Sequence, residues 1–170
     1  MEIGLSFGSN QGDRMRNLCA GRDRVAMLPG VRVVAASPVY ETEPVEVAEE
    51  YREQSFLNAV LVVECDGELH PFFQAIHAVE DDMGRVRGAD RNAPRVIDID
   101  IIYAGAEHLH ETALRVPHPR WKERRFVVQP LADVRPAAVL PGESRSVSAV
   151  LNGLPAVPRV TMYRRDWETS

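Results

Sequence analysis

Hydrophobic positions along the first half of the chain alternate between strand-like and helix-like spacing. The opening run "MEIGLSFGSN" predicts a first strand that ends in a Gly/Ser/Asn turn. A helix is predicted from about Asp13 to Leu28, where apolar side chains recur at helical spacing before the breaker pair Pro29–Gly30. The run "VRVVAASPVY" predicts a second strand with a break at Pro38.

The pattern continues with a third strand, a second helix and a fourth strand. The run "SFLNAVLVVEC" is rich in β-branched residues, and "VIDIDIIYAG" alternates carboxylates with isoleucines. Between them, "GELHPFFQAIHAVEDDMG" predicts a helix that ends at Gly84. Its apolar residues lie at the spacing of one buried face, and they are Phe72, Ile76, Val79 and Met83.

The order of these elements is strand, helix, strand, strand, helix, strand, which is the split βαβ arrangement. We therefore predict an α+β, ferredoxin-like βαββαβ core, with helices packed on an antiparallel sheet and a proline-rich C-terminal extension. Two long loops are expected, over Glu41–Gln54 and Arg85–Arg95. Nothing in the sequence resembles a linker, so one domain over residues 1–170 is expected.

Composition and charge then narrow the classes of function. The chain has 45% hydrophobic and 26% charged residues, which is typical of a soluble globular protein. Its net charge of -5 argues against a nucleic-acid partner. We find neither a signal peptide nor an apolar run of membrane length. A cytoplasmic protein with reduced Cys19 and Cys65 is expected.

The fourth strand carries two carboxylates, Asp98 and Asp100, inside an apolar run. Because side chains alternate on a strand, the two carboxylates share one face while the isoleucines face the core. Neighbouring carboxylates repel each other, and Mg²⁺ favours one or two carboxylates together with substrate phosphates. The pair is therefore a candidate metal platform, and the alternative is a solvated strand face with two ordinary acids.

Arginines are concentrated in the loop that precedes this strand. Guanidinium groups match phosphate oxygens, so the loop and the carboxylate pair together could bind a polyphosphate. The alternative is a set of surface ion pairs with nearby acids such as Glu80, which would be worth little. His118 lies between two prolines on a later loop and could face a ligand or serve the structure. The loop arginines are Arg85, Arg87, Arg91 and Arg95.

The early run "FGSNQGDR" is not a phosphate-binding P-loop. It lacks the Gly-x4-Gly-Lys-Ser/Thr spacing, and no lysine follows its glycines. We expect the Gly8–Asn10 turn to shape the corner between the first strand and the first helix.

Five motifs occur in order along the chain: "GSNQGDR", "SPVYETEPV", "SFLNAV", "GRVRGADRNAPRVIDIDII" and "VPHPRWKERRFVVQPLADV". As a set, they resemble the 6-hydroxymethyl-7,8-dihydropterin pyrophosphokinase family of folate biosynthesis, over about residues 1–135. The resemblance implies a ferredoxin-like fold and transfer of the β,γ-pyrophosphoryl group of ATP to the dihydropterin hydroxymethyl oxygen, with release of AMP. It also implies two Mg²⁺ ions. For such a site, a monomer that binds only its small-molecule substrates is sufficient.

The resemblance also implies roles for individual residues. Asp98 and Asp100 match metal ligands, and Arg85 and Arg95 match catalytic arginines. The implied ATP-binding residues are Glu80, Arg87, Arg95, His118 and Arg124. The implied pterin-binding residues are Thr42, Pro44, Val45, Phe56, Asn58 and Phe126, with the two phenylalanine rings sandwiching the bicycle. Without the resemblance, those two rings would be assigned to the core.

The chain departs from the family pattern at Asn92 and Ala93, where relatives usually carry Trp-Gly. A small amide there is expected to weaken closure of the loop over the ligands. Two alternatives to the pyrophosphokinase therefore stay open. One is a paralogue that binds Mg·ATP but uses another alcohol, and the other is a non-catalytic ferredoxin-like binding module.

Overall fold

The computed structural model describes residues 1–43, 55–84 and 95–168. Within those ranges, no helix combines the length and the apolar character needed to cross a bilayer. The elements of the core are β1 (Glu2–Ser9), α1 (Arg14–Ala26), β2 (Val31–Ala36), β3 (Val39–Thr42), β4 (Phe56–Cys65), α2 (Leu69–Asp82) and β5 (Asp98–Ala104). The later elements are β6 (Leu109–His110), β7 (Arg115–Val116), a 3₁₀ turn (Trp121–Glu123), α3 (Arg125–Val134), α4 (Val147–Asn152) and β8 (Val160–Arg164).

The main sheet has the strand order β5–β1–β4–β3–β8, and β2 also pairs with β4. All of these pairings are antiparallel. The order of the four core strands is the one that a split βαβ arrangement gives. The predicted ferredoxin-like α+β fold is therefore confirmed, with β2 and β3 forming the predicted second strand on either side of Pro38.

Side chains on the two faces of the sheet form two separate cores. Ile3, Leu5 and Phe7 of β1 are fully buried in a cluster with residues of α1 and α2. The opposite face packs Val60 and Val62 of β4 against residues of α3 and α4. Because both faces of β4 are covered, its buried residues run almost without interruption.

Local signals mark the start of the first helix and the turn that follows it. The Asp13 side chain accepts a hydrogen bond from the backbone N–H of Arg16 at 3.1 Å and so caps the first turn of α1. Gly30, after the helix, has a φ of 73°, which is the left-handed region that glycine tolerates. Both predicted helices are confirmed to within about two residues at each end.

The C-terminal extension is part of the sheet. β8 pairs with β3, and Trp167 is buried beyond it. The Trp167 indole N–H donates to the backbone oxygen of Ser37 at 2.7 Å. Its ring meets Phe7 edge to face, with 5.2 Å between the ring centres.

Candidate functional site

Asp98 and Asp100 lie on one face of β5, as predicted. Both are half-buried, whereas Ile97, Ile99 and Ile101 between and beside them are buried in the core on the other face. Because both side chains keep partial exposure, the carboxylates retain access to a ligand. The alternation of the two faces is the one that the period of a strand predicts.

Arg95 is brought to the first of these carboxylates. Its Nη1 lies 3.1 Å from Asp98 Oδ2, with the arginine side chain 24% exposed and the aspartate 21%. A guanidinium at this distance offsets the repulsion between two neighbouring carboxylates. Of the four loop arginines, Arg95 is the one within the described ranges, and it lies beside the acid pair.

Glu80 is not a surface acid, although the sequence left that reading open. Its side chain is 1% exposed, and Oε2 accepts a hydrogen bond from the backbone N–H of Ile99 at 3.0 Å. The carboxylate thus reaches the strand at the residue between the two aspartates. It also lines the cleft described below.

His118 is held next to the same strand by its backbone. Its N–H donates to the backbone oxygen of Ile102 at 2.8 Å. Its Nδ1 accepts from the backbone N–H of Arg120 at 3.1 Å, so the neutral ring carries its proton on Nε2. Burial, followed by the nearby Arg124 guanidinium, lowers the pKa of His118 to about 4 against the opposing effect of Asp98.

A cleft of about 270 Å³ lies between α2, β5 and the segment 112–119. Glu80, Asp100 and His118 all contribute to its walls, so three predicted site residues share one cavity. Sequence reasoning missed most of the remaining lining, which includes Phe73, His77, Ile101 and Arg115. Ordinary hydrophobic patterning gives no signal for these residues, because each reaches the cleft only through the packing of α2 and segment 112–119 against β5.

A row of directly opposed residues connects the acid pair with the predicted pterin-binding residues. Gly8 of β1 lies opposite Asp98 of β5 on one side and opposite Asn58 of β4 on the other. Asn58 in turn lies opposite Tyr40 of β3. Directly opposed residues project from the same face, so Asp98 and Asn58 share a face with only a glycine between them.

Near the end of this row that is formed by β4 and β3, two buried side chains carry polar atoms that lack a hydrogen-bond partner among the described residues. Thr42 is 2% exposed and Asn58 is 4% exposed. Thr42 Oγ1 and Asn58 Oδ1 are the atoms concerned. Thr42 lies opposite Phe56, so all three predicted residues project from one face. A ligand with hydrogen-bonding groups would satisfy these atoms.

Phe126 approaches the same region from the start of α3. It is half-buried and packs against the core that α3 covers. The guanidinium carbon of Arg124 lies 5.7 Å from the centre of its ring. Ring contacts within the described ranges do not include Phe56 with Phe126, so the two rings are not stacked on each other.

Several predicted residues lie outside the described ranges. These are the catalytic and ATP-binding arginines Arg85 and Arg87, the pterin-wall residues Pro44 and Val45, and the departures Asn92 and Ala93.

Comparison with known proteins gives the family. A family profile described as 7,8-dihydro-6-hydroxymethylpterin-pyrophosphokinase matches residues 4–136, which include each described site residue. The chain belongs to this family. The 2-amino-4-hydroxy-6-hydroxymethyldihydropteridine pyrophosphokinase of Methylorubrum extorquens is 38% identical over 82% of this chain and 86% of its own length. The enzyme of the same name from Pseudomonas aeruginosa is 34% identical over 89% of this chain and 90% of its own length.

Other relatives of this pyrophosphokinase family are longer proteins. The folic acid synthesis protein FOL1 of Dictyostelium discoideum is 40% identical over 81% of this chain, but the match spans 20% of that protein. Among solved structures, an HPPK-DHPS in complex with substrates superposes with a TM-score of 0.68 over 89% of this chain and 44% of its own. At 13% sequence identity, that likeness bears on the fold alone.

Proposed function

We propose that the chain transfers the β,γ-pyrophosphoryl group of ATP to the hydroxymethyl oxygen of 6-hydroxymethyl-7,8-dihydropterin and releases AMP. The observation that carries the proposal is the row Asp98–Gly8–Asn58, which places the acid pair and the buried amide on one face of the sheet. Two substrates bound at the two ends of this row would meet over Gly8. Family membership supports the same reaction.

The nucleotide is assigned to the end of the row that carries Asp98, next to the cleft. Neutral His118 would donate from Nε2 to a phosphate oxygen, because its Nδ1 is already an acceptor. Arg124 and Arg95 would supply guanidinium groups to the phosphates. Glu80 holds β5 in place and lines the cleft, where it could accept a hydrogen bond from the nucleotide.

The two aspartates fit the Mg²⁺ ions that the family implies. Within the described ranges, no group of three or more His, Cys, Asp or Glu residues could hold a metal by itself. Mg²⁺ commonly binds through one or two carboxylates with substrate phosphates completing the coordination, so the pair Asp98 and Asp100 suits ions that arrive with ATP. When bound, such ions neutralise charge on the transferring phosphates. We propose two ions at this site.

The pterin is assigned to the end of the row near Thr42. Asn58 Oδ1 and Thr42 Oγ1 would hydrogen-bond the amino and amide groups of the pyrimidine ring, which satisfies atoms that are otherwise buried and unpartnered in the described structure. Phe56 and Phe126 would stack on its two faces, each pair contributing about 0.5–1.5 kcal/mol beyond area burial.

Catalysis would then depend on positioning and electrostatics. Holding both substrates over Gly8 converts a bimolecular displacement into an intramolecular one. Arginine side chains would stabilise charge on the transferring group without forming a covalent intermediate. We further propose that the protein acts as a single-domain monomer in the cytoplasm, and that Arg85, Arg87, Pro44 and Val45 complete the site.

The experiment that tests this function follows AMP by chromatography in mixtures of protein, ATP, Mg²⁺ and hydroxymethyldihydropterin. The matched control uses 6-methyl-7,8-dihydropterin, which lacks the accepting hydroxyl. The proposal is supported if AMP forms only with the pterin that carries the hydroxyl and in the same amount as pterin diphosphate. Binding of Mg·ATP without AMP would indicate another acceptor, and absence of Mg²⁺-dependent nucleotide binding would indicate a non-catalytic module.

A further inference from the structure

Asn10, in the turn between β1 and α1, makes two hydrogen bonds with the backbone of Arg95. The shape of the turn does not require them. The backbone N–H of Asn10 donates to the backbone oxygen of Arg95 at 3.1 Å. In return, the Asn10 side-chain oxygen accepts from the backbone N–H of Arg95 at 2.6 Å. The Asn10 side chain therefore takes the place of a strand partner for Arg95, beyond the last pair of β1 and β5 at Gly8 and Asp98.

This contact acts on the residue that reaches the acid pair. Arg95 precedes β5, and its side chain extends to Asp98 Oδ2 at 3.1 Å. A backbone fixed at both its N–H and its C=O leaves few orientations for the first carbons of the side chain. The Asn10 contact thus determines where the Arg95 guanidinium can lie relative to the carboxylates.

Other residues already hold the shape of the turn. The Asn17 side-chain amide donates to Ser9 Oγ at 3.2 Å and to the backbone oxygen of Gln11 at 2.8 Å. Asp13 caps the helix that follows. The side-chain oxygen of Asn10 instead accepts a hydrogen bond from the backbone N–H of Arg95, so this side chain is directed at the site rather than at the turn.

Asn10 also carries a local cost. It is 6% exposed, and its Nδ2 has no hydrogen-bond partner among the described residues. An unsatisfied buried donor weakens a fold, and such groups are retained in native proteins where another role requires them.

We infer that Asn10 is a positioning residue for Arg95: its side chain fixes the backbone from which the arginine reaches the triphosphate. This inference rests on the proposed function, because it assigns Arg95 to that site. It goes beyond the proposed function by giving the "GSNQGDR" turn a part in the reaction.

A double-mutant cycle tests the inference. Asn10→Ala should lower kcat by about tenfold with a smaller change in KM, whereas in an Arg95→Ala background it should change kcat by less than about twofold. The same variants are also compared by calorimetry for their affinity for Mg²⁺ together with α,β-methylene-ATP. Asn17→Ala serves as the control, since it loosens the same turn but removes no hydrogen bond to Arg95, and it should reduce both readings by much less than Asn10→Ala does.

Each outcome decides the inference. Equal losses from Asn10→Ala in both backgrounds would show a merely structural role and overturn it, as would full activity of the single variant. Should Asn10→Ala not fold, Asn10→Ser replaces it, because serine suits the turn but is one atom too short to reach Arg95. If the wild type makes no pterin-dependent AMP, the proposed function fails, and the binding cycle alone then supports or overturns the role of Asn10.

Discussion

The carboxylate of Glu80 holds the backbone N–H of Ile99 at 3.0 Å, midway between Asp98 and Asp100. β5 is the edge strand of the sheet, so its outward N–H groups have no strand partner. A buried side chain of α2 thus supplies the missing acceptor at the residue that separates the two candidate metal ligands. This hydrogen bond therefore fixes the position of α2 relative to Asp98 and Asp100.

Replacing Glu80 by alanine is expected to destabilise the fold. The Ile99 N–H would lose its acceptor, which costs about 1–3 kcal/mol, and a cavity would add to that. Glu80→Gln keeps an acceptor oxygen and should lose less than half as much. Urea unfolding followed by circular dichroism measures both variants, and a Glu80→Ala protein as stable as wild type would contradict this assignment.

A side chain at Gly8 should impair pterin binding. A Cβ there would lie 3.0 Å from Asn58 Nδ2, so the Asn58 side chain would have to shift, whereas the 3.7 Å to Phe56 Cδ1 is ordinary van der Waals contact. Gly8→Ala is therefore expected to raise the KM for the pterin by about tenfold, with a smaller change in the KM for ATP. Gly67→Ala is the control, because its Cβ would meet only Cys65 Sγ at 3.9 Å. Equal effects of Gly8→Ala on both substrates would count against the assignment of the pterin to this end.

Arg14 joins the strands beneath the pterin end of the row. Its Nη1 lies 2.7 Å from Glu41 Oε2 and donates to both the backbone oxygen and the hydroxyl of Ser55, at 3.1 and 3.0 Å. Glu41 precedes Thr42, and Ser55 precedes Phe56. Losing this bridge should loosen the two strand ends, so Arg14→Ala is expected to raise the pterin KM by about 3- to 10-fold.

Arg16 provides the matched control for that variant, since it is an exposed arginine on the same helix. Steady-state kinetics should show Arg16→Ala close to wild type. If both variants behave alike, the bridge does not act on the site.

His118 should titrate far below an ordinary histidine. Its pKa in the folded protein is about 4, mainly through burial, against about 6.5 in an unfolded chain. Between those pH values the unfolded state binds more protons, so this residue lowers the free energy of unfolding as pH falls from 6.5 to 4, by up to about 3 kcal/mol. NMR titration, with His118→Gln to assign the signal, should give a midpoint near pH 4. A midpoint near 6.5 would show that the ring is solvated.

Short-range patterns were enough to predict the core elements. The alternation of Asp98 and Asp100 with isoleucines required only the two-residue period of a strand, and the buried face of α2 required only helical spacing. Confirmation of both reflects agreement between local pattern and tertiary packing.

Long-range contacts were not predictable in this way. Asn10 meets Arg95 across 85 positions of sequence, and Trp167 reaches Ser37 across 130. The strands β6 and β7 have two residues each, too few for any period to be read. The cleft lining was missed for the same reason, since it arises only when α2 and segment 112–119 pack against β5.

The central claim is that Asp98 and Asp100 bind Mg²⁺ together with the triphosphate of ATP, and the rate of pterin-dependent AMP release by Asp98→Ala tests it most directly. That rate should fall at least about 100-fold, while the free energy of unfolding stays within about 1 kcal/mol of wild type, because the side chain supports the ligand rather than the core. Asp82→Ala, which removes an exposed carboxylate at the end of α2, should retain wild-type activity. An Asp98→Ala protein that turns over at the wild-type rate would contradict the account.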